Sequence, residues 1–291
     1  MLHDNKDEFL KILERTSAQT GFMLSLLEKD YYLTILLSEI NSLSDNLIFK
    51  GGTCLNKVYY SYYRLSEDLD FSMKLSSRKI TRTDRRSIIK PVKDKILPYV
   101  NKLGMRIKDT GNPGRNESKQ YIYFVEYNSV VLNKEQSVKI EIGLRFDPLL
   151  PVINHAVNHK FLHPFTKELL FKAGSVNCLD LKELVAEKMR ATATRSPIAP
   201  RDFYDLGYLI ESGFNFKDKQ LLSLFTKKLE EDGFDPDMKK YRVNMGRAEN
   251  ELKEMNSRLE AELLDVLSIG ERKQFSMPDT LGLINKVLRE K

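Results

Sequence analysis

Apolar positions recur at helical spacing along the first forty residues. Phe9, Leu10, Ile12 and Leu13 share one face, and Met23, Leu24, Leu26, Leu27, Tyr31, Leu33, Leu36, Leu37 and Ile40 form a longer stripe. The pattern then breaks into short runs. Leu47 to Lys50 reads as a buried strand that stops at Gly51-Gly52-Thr53, and Cys54 to Tyr60 as a helix with Thr53 as its N-cap. Asp68 to Met73 has strand periodicity, and the stretch to Leu103 reads as a helix disturbed near Pro91 and Pro98. Three further strand-like runs are Met105 to Lys108, Gln120 to Tyr127 and Ser137 to Leu144, with a turn at Gly111-Asn112-Pro113-Gly114-Arg115-Asn116 between the first two. After Pro148 and Pro151 comes a histidine-bearing segment. From about Cys178 the chain reads as helical almost to its end, with Arg247 to Leu267 as a packing helix. These elements predict an α+β fold: a mixed-sheet lobe flanked by N-terminal helices over residues 1–174, then a helical lobe over residues 175–291.

Composition narrows the class. The 291 residues are 41% hydrophobic and 30% charged, which fits a globular protein and excludes wholesale disorder. No apolar run is long enough to span a bilayer, so no membrane association is expected. Met1 to Glu8 is too acidic to read as a signal peptide. With only two cysteines, Cys54 and Cys178, the expectation is a reduced cytoplasmic protein without disulfides.

The net charge is +6, but Lys74 to Lys95 alone carries an excess of seven positive charges. Arg78, Lys79, Arg82, Arg85 and Arg86 in this run are candidate RNA contacts, with a solvated helix face as the alternative.

The candidate chemistry centres on Phe49 to Phe71. Strand alternation puts Asp68 and Asp70 on one face and Leu69 and Phe71 on the other. Neighbouring carboxylates repel unless a cation lies between them, and hard oxygen donors suit Mg²⁺ on nucleotide phosphates. The glycine turn at Gly51-Gly52-Thr53 supplies backbone N–H groups that can approach a phosphate. Together they suggest nucleotidyl transfer. Glu141, on the polar side of its strand with Lys139, Gly143 and Arg145, is a candidate third metal carboxylate or simply part of a polar strand face. Asp202 and Asp205 share a helix face after Pro200; taken alone they suit the positive end of the helix dipole, with Lys188 at the surface. His155, His159 and His163 have the spacing of a zinc-binding helix face, without the usual further ligands. Tyr59, Tyr60, Tyr62 and Tyr63 read as core packing, or else as a stacking surface for a base.

At this point a family resemblance appears. Glu28-Lys29-Asp30-Tyr31, Phe49-Lys50-Gly51-Gly52-Thr53, Arg64-Leu65-Ser66-Glu67-Asp68-Leu69-Asp70-Phe71, Glu187-Lys188 and Arg201-Asp202-Phe203-Tyr204-Asp205-Leu206 occur in order. The set resembles the AbiEii-type abortive-infection toxins, related to the MenT toxins and belonging to the DNA polymerase β-like nucleotidyltransferase superfamily. The resemblance implies a nucleotidyltransferase-type mixed sheet, a C-terminal helical lobe, and an active-site cleft between them. It implies that Gly52 and Thr53 belong to a phosphate-binding turn, that Asp68 and Asp70 bind Mg²⁺ or Mn²⁺, and that Lys188 contacts nucleotide phosphates. It further implies that Asp202 is essential, with Asp205 and Arg201 as supporting residues.

The expected function is a metal-dependent toxin of a toxin–antitoxin system that transfers NMP from an NTP to RNA, chiefly tRNA acceptor ends, and is restrained by a cognate antitoxin. In that scheme Gly51 joins the phosphate turn, while Arg64 and Ser66 position the metal loop. Asp202 orients Lys188 or helps to deprotonate the acceptor. The alternatives are transfer to a protein or small-molecule acceptor, and an NTP-binding toxin that acts by partner binding without turnover.

Overall fold

The computed structural model describes residues 1–75, 80–109 and 111–289, apart from the side chain of Arg289. Arg78 and Lys79 therefore lie outside the described residues. The fold is mixed α+β and divides into two compact units, Met1–Leu179 and Asp180–Lys291.

The first unit opens with α1 (Lys6–Thr20), whose N-cap Asn5 accepts from the Glu8 N–H, and α2 (Leu24–Ser38). Nearly every side chain from Leu27 to Leu37 in α2 is buried, as its long apolar stripe requires. The sheet comprises β1 (Leu47–Lys50), β2 (Asp68–Met73), β3 (Arg106–Ile107), β4 (Gly114–Arg115), β5 (Gln120–Asn128), β6 (Glu135–Gly143), β7 (Ile153–Ala156) and β8 (Ser175–Cys178). Their order is β3-β5-β6-β2-β1-β8-β7, with β4 beside β5. β2 runs antiparallel to β1 and parallel to β6.

Register explains both faces of the sheet. Phe49, Phe71, Ile142 and Tyr121 align across β1, β2, β6 and β5, and all are buried. Further along the same face Tyr127 stacks on Tyr32 of α2, with ring centroids 3.9 Å apart. Alternation then forces Lys50, Asp70 and Glu141 into one row on the opposite face, and Asp68 and Lys139 into the next.

The second unit contains α5 (Leu181–Thr194), α6 (Pro200–Glu211) and α7 (Lys219–Glu231), followed by shorter helical pieces and a last helix, Met277–Arg289.

Several local expectations are corrected. The helical turn begins at Gly51 rather than after Thr53: Gly51–Cys54 (α3) continues into a π-helical turn, Leu55–Tyr59. The Thr53 hydroxyl donates to the Asp68 carbonyl at 2.6 Å and so is no N-cap. The helix α4 (Arg82–Lys102) passes unbroken through Pro91 and Pro98. Both prolines are exposed, as are Ser87 and Asp94, so the carbonyls they leave unbonded can take hydrogen bonds from water. Cys178 ends strand β8 instead of starting a helix, and the break between units falls after Leu179, one strand later than Gly174. Arg247 to Leu267 is two short helices and a 3₁₀ turn. The three histidines share no helix: His155 lies on β7, while His159 is buried and stacked on Phe171.

Candidate active site

The polar face of β2 is built against the glycine turn. Lys50 lies opposite Asp70, so the chain turns into α3 directly over that carboxylate. Gly51 has φ +77°, and a Cβ on it would come 2.7 Å from Asp70 Oδ2. Only glycine tolerates both the backbone conformation and that proximity. The N–H groups of Gly51, Gly52 and Thr53 form the first turn, where no intrahelical acceptor exists. The Thr53–Asp68 hydrogen bond ties this turn to the start of β2.

Asp70 is the electrostatically unsettled group. Burial raises its carboxyl above the ordinary range, and the neighbouring Glu141 carboxylate raises it further, against the pull of Lys50 and Lys139. Glu141 is itself engaged: Oε1 accepts from Gln120 Nε2 at 2.6 Å, and Oε2 lies 3.3 Å from Lys139 Nζ. The same ammonium is 3.6 Å from Asp68 Oδ2. Burial alone would lower the Lys139 pKa, but Asp68, Glu141 and Asp70 together raise it.

Among the described residues, no three imidazole, thiol or carboxylate groups converge as a ready metal cage. The donor set still fits Mg²⁺, which is commonly held by one or two carboxylates with water and substrate phosphate oxygens completing its shell. Asp68 and Asp70 supply those carboxylates, two residues apart on one face of β2.

The loop before β2 is internally braced. Arg64 is buried and donates through Nη1 to the Leu65 carbonyl at 2.8 Å and to Ser66 Oγ at 3.1 Å, and its guanidinium sits over the Tyr63 ring. Tyr62 and Tyr63 are buried, as expected of core residues.

Behind the turn lies a network that the sequence reading assigned no role. Lys57 Nζ, fully buried, is 2.7 Å from Asp30 Oδ1 and donates to Thr34 Oγ1 and Tyr62 Oη, both at 2.8 Å. Tyr62 Oη in turn donates to Asp30 Oδ2 at 2.8 Å. Asp30 sits on α2 beside Glu28, whose buried carboxylate accepts from the Ser129 hydroxyl and the Val130 N–H in the β5–β6 hairpin. Charges set inside the most apolar helix of the chain were the available signal.

In the second unit, Lys188 of α5 reaches Asp202 Oδ1 and Asp205 Oδ2 of α6, each at 2.7 Å. Arg195 Nη1 lies 2.7 Å from Asp202 Oδ2. Both aspartates are buried, so the surface and helix-dipole reading gives way to a buried ion cluster. Burial alone would raise the Asp202 carboxyl, but Lys188 and Arg195 outweigh it and hold the group below the usual range. Arg195 was not anticipated. Nor was Lys228 of α7, whose Nζ lies 2.7 Å from Glu183 and 3.3 Å from Glu187, locking α7 to α5.

The basic run is partly accounted for. Arg82 and Arg86 are exposed on α4, whereas Arg85 donates to the carbonyls of Ile80 at 2.9 Å and Glu117 at 3.3 Å.

Comparison with known proteins gives three findings. The profile of the nucleotidyl transferase AbiEii toxin family, of type IV toxin–antitoxin systems, matches residues 35–277. No curated protein matches the chain in sequence. Among solved structures, the nucleotidyltransferase toxin MenT4 from Mycobacterium tuberculosis H37Rv superimposes with a TM-score of 0.63 at 18% identity, covering 97% of this chain and 90% of that one. JHP933 from Helicobacter pylori gives a TM-score of 0.49 at 18% identity, with 92% of each chain covered. At such identity the likeness to MenT4 speaks for the fold alone.

Proposed function

Since the chain belongs to the AbiEii family of nucleotidyltransferase toxins of type IV toxin–antitoxin systems, we propose that it transfers NMP from an NTP to RNA, with tRNA acceptor ends as the acceptor. In this reading the reaction takes place in the cytoplasm, and a cognate antitoxin protein restrains it. The observation that carries the proposal is the seat of Gly51 on Asp70: the N–H groups of the glycine turn and a carboxylate of β2 meet at one point of the sheet.

The backbone N–H groups of Gly51, Gly52 and Thr53 hold the β- and γ-phosphates. Thr53 contributes through its N–H, because its hydroxyl is committed to the Asp68 carbonyl. Asp68 and Asp70 would hold Mg²⁺ or Mn²⁺, which when bound neutralises phosphate charge and acidifies the acceptor hydroxyl. Arg64 and Ser66 fix the loop that delivers Asp68. Lys188 balances the charge that builds on the leaving pyrophosphate. Asp202, paired with two cations and held in its ionised form, is a poor base; it orients Lys188 together with Asp205, and Arg201 and Arg195 support the cluster.

The test is incubation with total tRNA, Mg²⁺ and each labelled NTP in turn, beside Asp70→Ala. Label should enter RNA with the wild type alone. Tight NTP binding with no transfer to RNA would overturn the proposal in favour of a toxin that acts by binding, and label on protein or a small molecule would move the acceptor.

A further inference from the structure

Lys139 occupies an unusual place for a lysine. It projects from β6 into the row next to Asp70 and Glu141, directly across the strand pair from Asp68. Its ammonium lies 3.6 Å from Asp68 and 3.3 Å from Glu141, and the side chain is only 30% exposed. A two-metal site needs ions about 3.5–4 Å apart with carboxylates spanning both. Here the third carboxylate is already spent, one oxygen on Gln120 and the other on Lys139.

We propose that Lys139 is a built-in countercharge standing where a second divalent ion would otherwise sit, so that the site takes one metal ion, on Asp68 and Asp70, and Glu141 serves to hold Lys139 rather than to ligate metal. This rests on the nucleotidyltransferase reading above and adds to it the number of ions and the roles of Lys139 and Glu141. The geometry gives the reason. Asp68, Asp70 and Glu141 bring three carboxylates to adjacent positions on one sheet face. Lys50 stands in the same row as Asp70 and Glu141, so two ammonium groups and one divalent ion already exceed the three carboxylates by one positive charge, and a second divalent ion held by the same carboxylates would raise that excess to three. Lys139 is thus a positioning residue, acting on the metal through the carboxylates.

Metal-free protein would be titrated with Mn²⁺ alone and followed by electron paramagnetic resonance. The complex with a non-hydrolysable NTP analogue and Mn²⁺ would then be examined for coupling between ions. The expected result is a single uncoupled Mn²⁺ in the complex. Lys139→Met should bind Mn²⁺ about ten-fold more tightly than wild type in the absence of nucleotide, because a repelling charge a few ångströms away is gone. Lys139→Arg, which keeps the charge, should restore wild-type affinity and covers the case in which Lys139→Met fails to fold. Glu141→Gln should keep its Mn²⁺.

A coupled two-ion spectrum, unchanged affinity in folded Lys139→Met, or loss of Mn²⁺ in folded Glu141→Gln would each overturn the inference while leaving nucleotidyl transfer standing. Absence of any Mn²⁺ uptake by wild type, with or without the analogue, would overturn the metal-dependent reading itself.

Discussion

At the scale of single residues, the proposed site stores an electrostatic cost. The Asp70 carboxyl is raised in the folded chain, first by burial and then by Glu141. The folded state therefore holds this proton to higher pH than the unfolded state, and stability falls as pH climbs from the ordinary aspartate range through the raised folded value. Above that window the penalty is present in full. Asp70→Asn removes it, so the metal-free variant should melt about 2 °C or more above wild type at pH 7 and lose the advantage near pH 3, while nucleotidyl transfer disappears. Thermal melts in a chelator at both pH values check this; an equal shift at both would assign the gain to something other than charge. Alternation along β2 was enough to place Asp68 and Asp70 on one face. Lys139 was not legible in the same way, because the pairing of Asp68 with a residue 71 positions later is a matter of sheet register.

At the scale of elements, α2 shows why a strongly apolar helix carries Glu28 and Asp30. Each is a buried attachment point, Glu28 for the β5–β6 hairpin and Asp30 for the π-helical turn through Lys57 and Tyr62. These attachments set the height and direction of the glycine turn, since Lys57 follows Gly51 by less than two helical turns. Burial lowers the Lys57 pKa despite Asp30 beside it, and breaking a buried pair leaves an uncompensated charge behind. Lys57→Met leaves Asp30 buried without its cation and should cost about 3–5 kcal/mol in denaturant unfolding. Lys57→Met with Asp30→Leu should recover much of that loss. If the double variant is as unstable as the sum of the singles, the pair is not the source. Periodicity along the chain, helical in one case and strand-like in the other, gave α1, α2 and α4 and nearly all of β1, β2, β5 and β6. It gave no warning of β4, β7 or β8, runs of two to four residues that exist only through pairing with distant partners.

At the scale of the whole molecule, the same non-locality displaced the boundary. Ser175–Cys178 returns to pair with β1 and so belongs with the sheet, and the helical unit starts at Asp180. A net charge of +6 attracts RNA without choosing a site, but α4 concentrates positive charge on an exposed face where, among the described residues, Arg82 and Arg86 make no hydrogen bond to the backbone. Arg85 is different: its guanidinium is committed to the carbonyls of Ile80 and Glu117, so it holds the start of α4 in place. If α4 contacts RNA phosphates, each arginine displaces roughly one condensed counterion, and Arg82→Ala with Arg86→Ala should flatten the dependence of log Kd for tRNA on log salt by about 1.5–2. NTP affinity should not change. Arg85→Ala should instead lower thermal stability and leave the salt slope near the wild-type value. Binding isotherms at several salt concentrations measure all three, and an unchanged slope in the double variant would reduce the face of α4 to a solvated surface.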